Sequence, residues 1–244
     1  TFHLLITESH ATHGFVELHR QREYVYIGEE GVEKLGEIPM ERGYKALQKF
    51  KVIIDTFKVD KIRATGTAAL RTASNGTDFI KRAEALTNIP IQIITGLREA
   101  QLIYLGVRQA VPIQTTPQLI MDIGGGSVEF IIANKSQLLW AKSFPIGVSV
   151  LFNQFHQQDP IAAIEIEAIQ QHLTQVLQPL IRRTLLQRSN EYQTNNSNIK
   201  WLDQTMSKYP QHAKSLADEL IDVGQWCNLR NWVPATSSNF SQRI

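Results

Sequence analysis

Cysteine is nearly absent from this sequence of 244 residues, in which Cys227 stands alone. A single cysteine excludes an internal disulfide framework. The seven histidines are scattered, with His10 and His13 the closest pair, so they lack the clustered Cys/His ligands that a structural zinc site needs. The chain must therefore be stabilised by an ordinary apolar core, for which 43% hydrophobic residues is sufficient.

Long hydrophobic runs and an excess of one charge are also missing. No stretch approaches the roughly 18 consecutive apolar residues of a membrane span, and no signal peptide precedes the first strand. We therefore expect a cytoplasmic protein with no membrane partner. The 25 basic and 23 acidic residues leave a net charge of +2, which is too small to favour a nucleic-acid partner.

Strand-like and helix-like patterns alternate along the chain, which predicts an α/β layer. Apolar residues recur every three or four positions over 39–57, as on one face of a helix. Asp159 and Pro160 predict the start of a long helix, because Asp is a favoured N-cap and Pro suits the first turn. The other predicted helices cover 78–87 and 97–111, and the predicted strands cover 2–6, 14–20, 23–28, 61–65, 89–95 and 137–144.

Three consecutive glycines, Gly124–Gly126, join two strand-like runs within Gln118–Ile132. A hairpin turn needs only two residues, so three glycines indicate that something approaches this backbone closely. Glycine N–H groups followed by the Ser127 hydroxyl make a nest for an anion. The carboxylates of Asp122 and Glu129 would repel a bare phosphate unless a divalent cation lay between them. The pattern predicts phosphate and Mg²⁺; the alternative is a glycine-rich hairpin with solvated acidic residues.

Two strand-to-helix turns also carry polar groups, at the place where open α/β sheets hold their ligands. In the first turn, Thr67 and Arg71 suit an anion, which Arg71 would bind in a bidentate manner. The alternative there is a helix N-cap beside a surface arginine. In the second turn, Thr95 suits an N-cap and Glu99 lies in the first helical turn. The alternative for Glu99 is a favourable interaction with the helix dipole alone.

Four motifs, in this order and at similar spacing, resemble the exopolyphosphatase and guanosine pentaphosphate phosphohydrolase (Ppx/GppA) family. They are Ala64–Arg71, Thr95–Val107, Met121–Glu129 and Phe144–Ser149. The opening residues 1–6 also fit, since the first strand of that family ends in a phosphate loop that would lie just before this position. The resemblance covers about 1–185.

The resemblance implies an α/β protein with the actin-like ATPase superfold, in which phosphate is held in a cleft between two ribonuclease-H-like lobes. We place the N-terminal lobe at 1–113 and the C-terminal lobe at 114–244. By the resemblance, Glu99 is the carboxylate that activates water, and Asp122 and Glu129 are its Mg²⁺-binding and water-positioning partners. The implied phosphate-binding residues are Thr67, Arg71, Gly124, Gly125, Gly126 and Ser127. We expect all of these to surround one cleft.

The chain departs from the family pattern in two places. Leu97 and Arg98 precede Glu99 where the family usually carries two adjacent acidic residues, which changes the field around the carboxylate. The C-terminal lobe also lacks a second glycine-rich turn, because Gly224 is the only glycine after Gly147. We therefore expect this lobe to be incomplete or divergent after about 190.

The sequence thus predicts a Mg²⁺-dependent phosphoanhydride hydrolase that releases the terminal phosphate of inorganic polyphosphate or guanosine pentaphosphate by attack of water. Arg182, Arg183 and Arg188 either form a basic track for a long polyanion or cap the C-terminus of a helix. The rival hypotheses are a non-catalytic sensor of polyphosphate or alarmone and a relative of the actin-like sugar or acetate kinases. Family analogy also suggests a homodimer.

Overall fold

The computed structural model describes residues 1–10, 14–184 and 238–242. Helices and strands alternate through these residues, which confirms the predicted α/β class. The strands are β1 (Phe2–His10), β2 (Gly14–Glu23), β3 (Ala64–Gly66), β4 (Ile91–Ile93), β5 (Gln118–Ile123), β6 (Val128–Ala133), β7 (Leu138–Phe144) and β8 (Ser238–Gln242). The helices are α1 (Glu37–Phe57), α2 (Ala68–Thr72), α3 (Gly76–Thr87), α4 (Gly96–Ala110), α5 (Val148–Phe155) and α6 (Ala163–Val176).

Three separate sheets form from the described strands. β1 and β2 make an antiparallel hairpin, and β3 and β4 make a short parallel pair. The third sheet is antiparallel, with strand order β7-β6-β5-β8. β6 and β5 are the two inner strands of this sheet, and every residue of β6 is buried. The β5–β6 hairpin was predicted from the sequence and is confirmed.

Two apolar clusters position the helices. Phe79 of α3 is fully buried and stacks on Tyr44 of α1, with 4.7 Å between ring centroids. The second cluster lies between α4 and the third sheet, where Tyr104 packs with Ile120 and Ile131. Helix α4 therefore rests on the sheet that carries the glycine hairpin, because its buried face matches the apolar side of β5 and β6.

One predicted strand and the predicted start of one helix are wrong. Residues 23–28 do not form a strand: β2 runs on to Glu23, and Tyr26 has a positive φ of 49°. Val25 and Ile27 are buried while Tyr24 and Tyr26 are exposed, so alternating burial imitated a strand without a β partner. The long helix also does not start at Asp159, because α6 begins at Ala163. Its first turn is capped by Glu165, whose carboxylate accepts from the Ala162 N–H at 2.7 Å.

The chain forms two compact units. The first contains Thr1–Val150 and strand β8, and the second begins at Leu151 and includes α6. The division into lobes at 113 and 114 stays a prediction. Arg188 and the divergence expected after about 190 lie outside the described residues. Within the described part of the chain, no helix is long and apolar enough to cross a membrane.

Candidate functional site

One cavity of about 530 Å³ collects most of the candidate site residues. It lies within the first unit. The candidates that line it are Thr67, Glu99, Asp122, Gly124, Gly125, Gly126, Ser127 and Glu129. Arg71 lines an adjoining cavity instead, although its side chain reaches Glu99. The structure therefore brings the three sequence motifs together, while the chemical role of each residue stays a prediction.

Helix α4 presents Glu99 from its first turn. Thr95 caps the helix as predicted, because its hydroxyl accepts a hydrogen bond from the Arg98 N–H at 3.2 Å. The Glu99 side chain is only 15% exposed and accepts a hydrogen bond from Arg71 Nη1 at 3.2 Å. Arg71 Nη1 also donates to the Ile94 carbonyl at 2.7 Å, which fixes the guanidinium. The nearby cation is thus Arg71, since the Arg98 guanidinium donates to Gln101.

Burial changes the acidity of Glu99. Its pKa rises from 4.5 to about 7, chiefly because burial penalises the charged carboxylate and secondly because Glu129 adds a like charge. Hydrogen bonds and charge from Arg71, with a hydrogen bond from Thr67, oppose the rise without cancelling it. The carboxyl group therefore exchanges its proton near neutral pH.

The hairpin turn places its glycines in different surroundings. The Gly124 N–H already donates to the Ser127 carbonyl at 2.9 Å, so this amide is not available to a ligand. A Cβ on Gly126 would lie 2.9 Å from the Cβ of Ala68, which explains why this position needs glycine for packing against α2. Gly125 is the most open of the three, since the nearest atom to its Cβ position is Ser149 Oγ at 3.4 Å.

Asp122 and Glu129 are register partners across the hairpin, so their side chains lie on the same face of the sheet. Glu129 is 2% exposed, and its Oε1 accepts hydrogen bonds from Ser127 Oγ at 2.7 Å and Ser143 Oγ at 2.6 Å. Asp122 is 8% exposed, and its Oδ1 has no hydrogen-bond partner among the described residues. Burial, followed by the charge of Glu129, raises the pKa of Asp122 to about 6.

The Asp122–Glu129 pair fits a magnesium ion better than a metal held by protein alone. No cluster of three or more His, Cys, Asp or Glu side chains is arranged around a metal position in the described residues. Mg²⁺ is usually held by one or two carboxylates, with waters and substrate phosphates completing its shell. The unpartnered Oδ1 of Asp122 is an oxygen of the required type in a buried position.

Sequence reasoning missed Ser143. It belongs to β7, and the register pairs it with Glu129. The predicted strand at 137–144 already included Ser143, and cross-strand partners place their side chains on the same face. The sequence did not give the pairing register, so it could not show which β7 residue lies opposite Glu129.

Comparison with known proteins identifies a family model and solved structures that are similar to this chain. A sequence model of the Ppx/GppA phosphatase family matches residues 5–228. The crystal structure of an exopolyphosphatase from Cytophaga hutchinsonii is similar, with 40% identity over 75% of this chain and a TM-score of 0.71. A PPX-GPPA enzyme from Aquifex aeolicus has 25% identity over 73% of the chain and a TM-score of 0.59.

The match spans 59% of the Cytophaga protein and 60% of the Aquifex protein, so the chain corresponds to less than two thirds of either relative. The family match nevertheless extends over most of the chain, including all four motifs. The convergence of those motifs on one cavity agrees with it. The chain therefore belongs to the Ppx/GppA phosphatase family.

Proposed function

We propose that this protein is a phosphoanhydride hydrolase that releases the terminal phosphate of inorganic polyphosphate or guanosine pentaphosphate. The observation that carries the proposal is the meeting of Glu99, the Asp122–Glu129 pair and the glycine turn in one cavity. The similar Cytophaga protein is an exopolyphosphatase, which supports the substrate class. We also propose that the whole protein has the actin-like ATPase superfold, with a cleft between two ribonuclease-H-like lobes.

Glu99 would act as the general base. A base is most effective when its pKa lies near the working pH, and the burial of Glu99 supports a value of about 7. Arg71 would hold the carboxylate in position through Oε2, with a further hydrogen bond from Thr67, while the carboxylate takes the proton of an attacking water. Hydrolysis of a phosphoanhydride then requires little further covalent chemistry from the protein.

Backbone and hydroxyl groups would hold the phosphate. In the described turns, the N–H groups of Gly125, Gly126 and Ser127 donate to no backbone oxygen, which leaves them for an anion. Thr67 lines the same cavity, and Arg71 adds a positive charge at its edge. Gly124 would contribute shape but no hydrogen bond.

Asp122 and Glu129 would hold Mg²⁺ together with the substrate. When bound, the ion would neutralise the charge of the phosphoryl oxygens and of the two carboxylates. Ser127 and Ser143 both occupy Oε1 of Glu129, so they would orient this side chain by one oxygen. Asp122 would contribute its unpartnered Oδ1.

The test is phosphate release from polyphosphate, guanosine pentaphosphate and ATP, with and without Mg²⁺. We expect Glu99→Gln to lower hydrolysis by about 10²- to 10⁴-fold, the usual contribution of a general base, while substrate binding survives. Glu37→Gln is the matched control, because it changes an exposed glutamate in the first turn of α1. A wild-type protein that binds polyphosphate tightly without releasing phosphate would instead be a sensor.

A further inference from the structure

Strand β2 has one unpaired side. It pairs with β1 in a sheet of two strands, and no other strand among the described residues lies beside it. Residues Thr1–Leu4 line the cavity that holds the candidate site, whereas no residue of β2 lines that cavity or the adjoining one. We call the unpaired side of Gly14–Glu23 the β2 edge. It plays no part in the chemistry proposed above.

The β2 edge lacks common devices that keep other chains away from a sheet. Edge strands are commonly short, or carry lysine or proline. β2 has ten residues, none of which is lysine, proline or buried. Phe15 is 71% exposed and Leu18 is 47% exposed. Unpaired backbone N–H and C=O groups next to exposed apolar side chains form a surface that can add another strand.

Helix α1 leaves the β2 edge open. It contacts one face of β2, where the rings of Phe57 and His19 lie 5.5 Å apart between centroids. On the same face, Lys49 Nζ lies 3.5 Å from a carboxylate oxygen of Glu23. A strand added at the edge would therefore extend the sheet without displacing this helix from its own hairpin.

A β-bulge determines which charged side chains of β2 share the other face. The bulge leaves Leu18 without a partner on β1. Thr7 and Leu5 are two residues apart on β1, so they share a face, and their partners are Glu17 and Arg20. Glu17 and Arg20 therefore lie on one face, as their hydrogen bond of 3.0 Å requires. Without the bulge, residues three apart on a strand would point to opposite faces.

The charges of the β2 edge are self-complementary. When β2 pairs antiparallel with its own copy over its full length, Glu17 lies opposite Arg20 of the partner subunit, and Arg20 lies opposite Glu17 of the partner subunit. Phe15 then lies opposite the partner's Arg22, and no like charges are opposed. A pairing centred on Arg20 would instead oppose arginine to arginine and Glu17 to the partner's Glu23, which repulsion disfavours.

The ion pair within one chain does not prevent this arrangement. The Arg20 and Glu17 side chains are 63% and 46% exposed, and an ion pair of this kind contributes little to stability. The two residues can therefore turn toward the partner's opposite charges at little cost. Each contact forms twice across a two-fold axis, as an isologous interface requires.

We propose that the β2 edge is a self-association surface, on which a second copy of this chain binds antiparallel. The product is a dimer with a continuous sheet of order β1-β2-β2-β1. Ten residues per chain are fewer than in a standard interface, so we expect a reversible dimer with a dissociation constant on the order of micromolar. This inference goes beyond the proposed hydrolase function and does not depend on it.

Sedimentation equilibrium of the ligand-free chain over a range of concentrations measures the dimer. We expect Glu17→Arg and Arg20→Glu each to raise the dissociation constant by about tenfold, because two opposite-charge contacts become two like-charge contacts. The difference from wild type should shrink as salt is raised, because exposed charges are screened. Thermal melting of each variant checks that the fold is intact.

Mixing the two variants gives a test that a role within one chain cannot imitate. Each variant alone carries like charges at both positions. In a mixed dimer, the introduced arginine of one chain faces the introduced glutamate of the other, and the native Arg20 and Glu17 face each other. The equimolar mixture of Glu17→Arg with Arg20→Glu should therefore regain the dimer that neither variant forms well alone.

The ion pair between Arg82 and Glu41 provides matched controls. It is exposed to a similar extent, at 57% and 49%, and it joins α3 to α1 away from any strand edge. Arg82→Glu and Glu41→Arg should leave the dissociation constant of the dimer unchanged. Hydrogen exchange gives a readout without any substitution: amides of β2 should exchange more slowly at high protein concentration, while those of β7 stay unchanged.

Three results would overturn the inference. The first is a wild-type protein that stays monomeric at concentrations up to about 1 mM, since no interface of useful affinity would then exist. The second is a wild-type dimer that neither Glu17→Arg nor Arg20→Glu weakens, because it must use another surface. The third is a mixture of these two variants that dimerises no better than each variant alone.

Discussion

Ser127 and Ser143 hold Glu129 by a single oxygen, Oε1, and so leave Oε2 for the cavity. Such hydroxyls are typical of the groups that hydrogen-bond to metal ligands. Loss of one of these supporting groups costs about 10- to 100-fold in metal affinity or activity. We therefore predict that Ser143→Ala raises the Mg²⁺ concentration needed for half-maximal phosphate release by this factor.

Direct Mn²⁺ binding, followed by electron paramagnetic resonance, gives a second measurement of the same effect. Ser136→Ala is the control, because Ser136 is an exposed serine in the turn before β7. Equal metal affinities for the two variants would show that Ser143 does not position Glu129.

The raised pKa of Glu99 also predicts a pH-dependent stability. Its folded value of about 7 lies above the ordinary 4.5, so the stability that the protonated group provides is present below pH 4.5 and is lost as pH rises through 7. Gln cannot ionise. In the absence of ligands, Glu99→Gln should therefore raise the Tm above that of wild type at pH 8, with a smaller difference at pH 5.

Thermal melts at the two pH values measure this difference. Glu167→Gln is the control, as Glu167 is exposed on α6. A difference between Glu99→Gln and wild type that is the same at pH 5 and pH 8 would contradict the proposed burial of an ionisable Glu99.

At the scale of elements, two glycines of the hairpin differ in their surroundings: Gly126 packs against α2, whereas Gly125 is open to the cavity. Alanine at Gly126 would place its Cβ 2.9 Å from Ala68, whereas alanine at Gly125 would make a tolerable 3.4 Å contact with Ser149 Oγ inside the cavity. We predict that Gly126→Ala lowers the free energy of unfolding by about 1–3 kcal/mol, which is the usual cost of overpacking. Gly125→Ala should stay close to wild type in stability yet weaken polyphosphate binding.

Denaturant melts and calorimetry test the pair, and each variant serves as the control for the other. If Gly125→Ala binds polyphosphate as wild type does, the open face of the turn is not the anion nest.

The elements that the sequence predicted correctly are those with a strong local signal. The β5–β6 hairpin follows from two apolar runs around glycines, and α4 follows from its apolar period and the Thr95 cap. Residues 23–28 failed because alternating burial arises wherever an extended segment crosses a core, with or without a strand partner. The predicted start of α6 at Asp159 was wrong because a second N-terminal signal lies four residues later. The Glu165 carboxylate, in the first turn of α6, accepts hydrogen bonds from the backbone before the helix.

At the scale of the whole molecule, the near-neutral net charge conceals a cavity in which three carboxylates, Glu99, Asp122 and Glu129, lie together. The sequence motifs predicted which residues meet, but composition could not predict that Arg71 would line an adjoining cavity while its side chain reaches Glu99. That arrangement depends on the β6–β7 register and on the packing of α4, which are tertiary properties.

Metal and substrate should stabilise the folded molecule by mass action. We predict that Mg²⁺ added with polyphosphate raises the Tm of the hydrolysis-deficient Glu99→Gln protein, and that adding Asp122→Asn removes most of this increase. Without ligands, Asp122→Asn should raise the Tm at pH 8, because it removes a buried charge whose pKa is about 6. Retention of the full ligand-induced increase would remove Asp122 from the proposed metal site.

The start of α4 presses directly on β7. A Cβ on Gly96 would lie 2.5 Å from the Cβ of Ser143, so no other side chain fits between the helix and the strand. Glu99 follows one turn later on this helix, and Ser143 bonds Glu129. The proposed base and the acidic pair therefore belong to one preorganised body, whose spacing is set before substrate arrives. Any gating of the reaction must then come from parts of the protein that approach this body, and not from movement of Glu99 relative to Glu129.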